Sequence, residues 1–183
     1  MILVAMLAGA GPVLPMVLIA AAGHELGHLA ALHIFGARIV RVRLTAFGAE
    51  ITADTRRLSY PREIFCTLAG PLVNLVLAVA LARTTQAWTL AGANLLLGCF
   101  NLLPVPALDG GHALDLTVSW LWDPIVADIV CRRVGLGCAV VLVSAALALT
   151  VRHQAGLFLL LGALGTLAPQ LAEYKRSRRG MRL

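Results

Sequence analysis

Five apolar runs, at residues 12–35, 63–82, 88–103, 134–150 and 155–171, constrain this chain more than any other feature of its sequence. A helix needs ~20 apolar residues to cross a bilayer, somewhat fewer where the bilayer thins, so each run is long enough or close to it. A half-buried element of a soluble domain would alternate apolar with polar residues, and these runs do not. Of the 183 residues, 60% are hydrophobic and 13% charged, far from the balance of a soluble domain. The expected fold is an all-α polytopic membrane protein with five transmembrane helices, or six if the apolar residues 1–11 belong to an extra span. At ~1.5 Å per residue that stretch reaches only about half way across the hydrocarbon core. Met1 opens directly into apolar sequence with no basic stretch, so a cleavable secretory signal is not expected.

Charge sets the orientation. Arg38, Arg41, Arg43, Arg56, Arg57 and Arg62 lie between the first two runs, Arg132 and Arg133 between the third and fourth, and Lys175, Arg176, Arg178, Arg179 and Arg182 in the tail, leaving only Arg83 and Arg152 for the opposite loops. Basic residues in short loops stay cytoplasmic, so the tail is expected inside and the N-terminus outside. Trp88, Trp120, Trp122, Tyr60 and Tyr174 fall near the ends of runs or in the loops beside them, as interfacial aromatics do. The net charge of +6 sits in loops and tail without an interleaved aromatic stripe, which points to lipid headgroups and not to nucleic acid. Cys66, Cys99, Cys131 and Cys138 have no CxxC spacing and read as small buried side chains. One membrane-embedded domain is expected over residues 1–172, with its core at about 12–115, followed by a basic tail at 173–183.

Two stretches break the helical pattern. In IVRVRLTAFGAEIT, residues 39–52, Val40, Val42, Leu44 and Ala46 alternate with Arg41, Arg43 and Thr45 before Gly48, which predicts a short β-hairpin. In NLLPVPALDGG, residues 101–111, Pro104 and Pro106 forbid a continued helix and Gly110 and Gly111 free the backbone.

The chemistry lies in His24-Glu25-Leu26-Gly27-His28, an HExxH sequence inside the first apolar run. Histidines at i and i+4 share a helix face and can bind one zinc ion, while the Glu between them can act as a base on an attacking water. Three ionisable residues so close together at membrane depth are costly unless they face a cavity and have partners. A catalytic zinc wants three protein ligands and an open position. The metzincin pattern needs Gly and His where this chain has Ala31 and Ile34. Glu50, in the hairpin among arginines, reads as a solvated or paired strand residue. Asp109 is the better third ligand, since it follows a proline-broken segment and irregular backbone at that depth is tolerated where it lines a cavity.

These residues, with Ala69-Gly70-Pro71 and Asn74 in the second run and Asn101-x-x-Pro104-x-Pro106-x-x-Asp109-Gly110 starting in the third, closely resemble the site-2 protease family of intramembrane zinc metalloproteases. FGAEI followed by AGPLVN, without a PDZ insertion, looks most like its stage IV sporulation FB branch. The resemblance implies one zinc per chain on His24, His28 and Asp109, Glu25 as the catalytic base, and Asn74 and Asn101 as candidates for binding the substrate backbone or an oxyanion. For both asparagines, bonding between helices is the competing role. It further implies a membrane-anchored protein substrate and membrane inhibitor or regulator proteins as partners. A helical substrate hides its peptide bonds and must be drawn out into an extended strand, for which the hairpin edge offers main-chain groups, the competing role being a simple interfacial hairpin; the depth of the motif points to a cytoplasmic product such as a sporulation pro-sigma or other transcription factor. Regulation through a C-terminal CBS domain, frequent in that branch, is not expected. His33 and His112 read as helix-end or interfacial residues, and Asp115, Asp123 and Asp128 as solvated. The rival readings are a metal transporter or a membrane zinc-binding protein without protease activity, and a scaffold on the same fold; the Glu within the motif argues against them.

Overall fold

The computed structural model describes residues 13–45 and 48–153, and its elements begin where the first apolar run does. That run is helix α1, Val13–Ile34. It stops because Gly36 takes φ +72°, a left-handed value that glycine adopts without strain. The Gly36 N–H then bonds His33 O at 3.1 Å and the Ala37 N–H bonds Leu32 O at 2.9 Å, satisfying the last carbonyls of the helix. The chain leaves this cap as strand β1, Arg38–Thr45, paired antiparallel with β2, Gly48–Asp54. The predicted hairpin is present, with a register shift between Ile39 and Arg41 that makes Val40 the extra residue of a bulge.

Helix α2, Tyr60–Leu81, follows an extended Ser59 and carries a proline at its start, where a missing N–H is harmless, and Glu63 in its first turn, where a carboxylate suits the helix dipole. Pro71 lies inside the helix and is fully buried; it deletes the amide that would bond the Thr67 carbonyl. A 3-10 turn, Thr85–Ala87, leads into α3, Trp88–Asn101. Helices α1, α2 and α3 pack on one another through glycines. A Cβ on Gly27 would lie 2.9 Å from Ala69 O and 3.1 Å from Gly70 Cα, and one on Gly98 would lie 3.2 Å from Pro71 O. Small residues let helix backbones approach this closely, as in membrane bundles. At the C-terminal end of α1, buried Ala31, Leu32, Cys66 and Ala69 are covered by Phe35, Ala37, Ile51, Ala53 and Leu58, which fastens the hairpin to the helices.

These elements form a unit ending at Leu102. A second unit begins at Leu103 and contains α4, Asp109–Leu121, packed with α5, Pro124–His153.

The described residues thus form a mostly helical fold with five α-helices and one two-stranded sheet. Helices α1 and α2 are long and apolar enough to cross a membrane, with mean hydropathies of 1.4 and 2.3. Only 17% and 33% of those apolar windows are buried, so residues such as Leu18, Leu72, Val76 and Val79 face outward, more apolar surface than a water-soluble monomer usually shows. Helix α3 has 14 residues, ~21 Å at ~1.5 Å each, short of a ~30 Å hydrocarbon core. The fourth predicted run lies within α5. Helix α4 was not anticipated, because turn signals dominate its start and its composition is mixed. Cys66 and Cys131 are buried as expected, whereas Cys99 is exposed and Cys138 half-buried. Residues 1–11, the run at 155–171 and the tail at 173–183 lie outside the described residues.

Candidate metal centre

His24 is buried and His28 half-buried on the same side of α1. Their Nε2 atoms are 3.1 Å apart, with ring centroids at 4.8 Å and planes nearly perpendicular. Two tetrahedral zinc ligands at ~2.0–2.1 Å would stand ~3.3–3.4 Å from each other, so the pair is spaced for a single ion.

The opposite ring nitrogens decide which way the imidazoles face chemically. His28 Nδ1 lies 2.9 Å from the Cys66 carbonyl oxygen. A carbonyl only accepts, so Nδ1 carries a hydrogen and, in the neutral ring, Nε2 keeps a lone pair. His24 Nδ1 lies 2.6 Å from Asn74 Oδ1, and the orientation of that amide is itself determined, because Asn74 Nδ2 donates to Ala20 O at 3.0 Å and to Asn94 Oδ1 at 2.8 Å. His24 Nδ1 is therefore also the donor. Two Nε2 lone pairs aimed at each other across 3.1 Å repel unless a cation or proton lies between them. Neutral imidazoles with their far N–H groups anchored are the usual form of zinc-ligating histidine, so these residues fit the metal that the sequence implies.

Backbone shape completes this side of the site. A Cβ on Gly70 would overlap His28 Nε2, so only glycine at that point of α2 leaves room for the ring. Glu25 is half-buried on α1; at 3.6 residues per turn it stands about 60° round the helix from His28.

Asp109 is the first residue of α4, in the second unit. The Leu108 N–H bonds Val105 O at 2.8 Å, and the Gly111 and His112 N–H groups bond Leu108 O at 3.1 Å, folding the proline-rich stretch tightly against the helix start. A Cβ on Gly111 would overlap the Val105 carbonyl, which explains the glycine after Asp109-Gly110. A carboxylate here has the favourable end of the α4 dipole behind it.

Of the two asparagines singled out from sequence, Asn74 is fully buried and bonded between helices, one of the two roles open to it. Asn101, half-buried at the end of α3, donates through Nδ2 to Leu97 O at 3.0 Å. His33 and His112 are exposed. Asp123 accepts from the Ile125 N–H at 2.7 Å at the start of α5, and Asp128 pairs with Arg132. The backbone of Glu50 pairs opposite Arg43 in the hairpin. Sequence reasoning missed Asn94 and the steric role of Gly70. An amide inside an apolar helix was the available signal, since such groups bond across helices.

Residues 82–143 match peptidase family M50. Over 161 residues, 78% of the chain, the sequence is 37% identical to a Mycobacterium tuberculosis protein provisionally named zinc metalloprotease Rip3, of which the match covers 40%. It is 27% identical over 130 residues to zinc metalloprotease MJ0392 of Methanocaldococcus jannaschii, covering 65% of this chain and 38% of that protein. To stage IV sporulation protein FB of Bacillus subtilis it is 35% identical over 111 residues, 52% of this chain and 36% of that protein. The chain spans about two fifths of the length of the curated relatives it matches.

Proposed function

Because this chain belongs to the site-2 protease family of zinc metalloproteases, peptidase family M50, we propose that it is an intramembrane endopeptidase that cuts a peptide bond within or beside a membrane segment of its substrate. The observation that carries this reading is the facing Nε2 pair of His24 and His28 with Glu25 beside it on an apolar helix. Asp109 is our third ligand, preferred over Glu50. Zinc bound there supplies Lewis acidity to a scissile carbonyl and lowers the pKa of water toward ~7. Glu25 takes the proton from the attacking water and later delivers it to the leaving amine nitrogen. The Nδ1–H bonds to Asn74 and Cys66 keep both imidazoles aimed throughout. Asn101 is the better remaining candidate to hydrogen-bond the substrate backbone or oxyanion, since both ends of the Asn74 amide are already engaged.

A helical substrate hides its peptide bonds, so it must be extended before attack, and the edge of the β1–β2 hairpin offers main-chain groups for that pairing. We further propose a multi-pass topology with a cytoplasmic tail. At ~1.5 Å per residue, His24 and His28 stand ~15 and ~9 Å from the Ile34 end of α1, which the basic loop marks as the cytoplasmic side. Cleavage then falls in the central or cytoplasmic part of the substrate segment and releases a soluble cytoplasmic product, with a membrane-tethered transcription factor, such as a sporulation pro-sigma factor, as the favoured class.

Glu25→Gln should abolish cleavage of a co-expressed membrane-anchored substrate while retaining zinc; unchanged turnover overturns the assignment of the base. Asp109→Ala should lose both zinc and cleavage, and Glu50→Gln should keep the metal; metal content after gel filtration decides between them. Mass-spectrometric mapping of the new termini, with a topology reporter on the tail, tests the depth: cuts confined to the outer third contradict it. Zinc binding without chelator-sensitive cleavage of any anchored protein would favour the non-proteolytic membrane zinc protein.

A further inference from the structure

We propose that Asn94, on α3, is a positioning residue that acts through Asn74 on His24. The inference deepens the zinc reading and rests on it. The hydrogen bonds form one directed chain across three helices. Asn94 Nδ2 donates to Leu90 O at 2.9 Å, and because that carbonyl can only accept, the other end of the Asn94 amide is its oxygen. Asn94 Oδ1 accepts from Asn74 Nδ2 at 2.8 Å, and the same nitrogen donates to Ala20 O at 3.0 Å. Both Asn74 N–H groups are thereby engaged, its Oδ1 faces His24, and the His24 Nδ1–H completes the series at 2.6 Å. The direction of every bond is set from the far end, so Nε2 of His24 is left as the electron-pair donor.

Burial makes this arrangement selective. Asn74 is 0% and Asn94 1% exposed, so no water competes for their groups and an alternative arrangement would leave a polar atom unsatisfied in a low-dielectric interior. Gly98, one turn beyond Asn94, brings α3 within reach, since a Cβ there would lie 3.2 Å from both Asn74 Cβ and Pro71 O. The Nδ1 of His28 rests instead on a backbone carbonyl. Asn94 is therefore the side chain through which the α3 position is coupled to the orientation of one ligand.

The test uses the full chain in detergent and reads metal rather than turnover. Zinc affinity is measured by competition with a chromophoric chelator, and cobalt(II) substituted for zinc reports coordination through its visible spectrum. Asn94→Leu should weaken zinc about 10- to 100-fold and alter the cobalt spectrum. Asn94→Asp, neutral when buried and able both to accept from Asn74 and to donate to Leu90, should stay within about threefold of the parent. A folded Asn94→Leu protein with unchanged affinity and spectrum overturns the relay while leaving the zinc site standing; a parent protein that binds neither metal overturns both. Should Asn94→Leu not fold, nitrogen-15 NMR of metal-free parent protein decides, with His24 assigned by difference from His24→Gln: a protonated Nδ1 supports the relay and an unprotonated Nδ1 overturns it.

Discussion

The two shoulders of the candidate metal centre are built on different principles. On the His24 side, a side-chain amide holds the ring and is held in turn by a second amide on α3 and by the Ala20 carbonyl of α1 itself. On the His28 side the ring donates to the Cys66 backbone carbonyl and lies against the bare face of Gly70. Both imidazoles are aimed by an Nδ1–H bond, one to a side-chain amide and the other to a backbone carbonyl with the bare α2 backbone beside the ring. The difference teaches that substitution should act on them by different routes, through lost polarity at His24 and through added volume at His28.

The largest effect is expected at Gly70. Gly70→Ala puts a methyl group where the His28 ring stands, so the ring or the α1–α2 crossing must move; overpacking of this kind costs ~1–3 kcal/mol, and zinc retention after chelator challenge should be lost. If Gly70→Ala keeps zinc at parental affinity, the steric account of the His28 side is broken. Next comes Asn74→Leu, which removes the acceptor from His24 and orphans Asn94. Zinc affinity should fall by roughly the 10- to 100-fold typical of lost support behind a metal ligand, with ~1–3 kcal/mol of stability lost from unsatisfied buried groups. An Asn74→Leu protein with a parental cobalt spectrum would erase the contrast between the two sides. The smallest effect is expected for Cys66→Ala, because His28 uses the carbonyl of that residue and not its thiol. The truncated packing should cost ~1 kcal/mol in a denaturation assay, with zinc affinity within about threefold of the parent; a large loss of metal would show that the sulfur takes part.

Much of this protein was legible from residue order alone. The i, i+4 histidines needed only helical periodicity to share a face, Gly36 needed only its freedom at positive φ to end α1, and alternation over residues 39–52 was enough for the hairpin. These are local properties, set within a turn or a pleat. Helix α4 escaped because the signals around Pro104, Pro106 and Gly110 are those of a turn, and a helix can start directly after one when a carboxylate such as Asp109 meets its first turn. What only the tertiary structure decided is which nitrogen of each histidine is available, for that depends on Asn74 and Cys66, 50 and 38 residues away. It also decided that Asn94 belongs with them and that Gly70 meets the His28 ring. Periodicity assigns a residue to a face, but the partner on the facing helix depends on where two helices cross, and that crossing is set by the packing of small residues such as Gly27, Gly70 and Gly98 against one another's backbones.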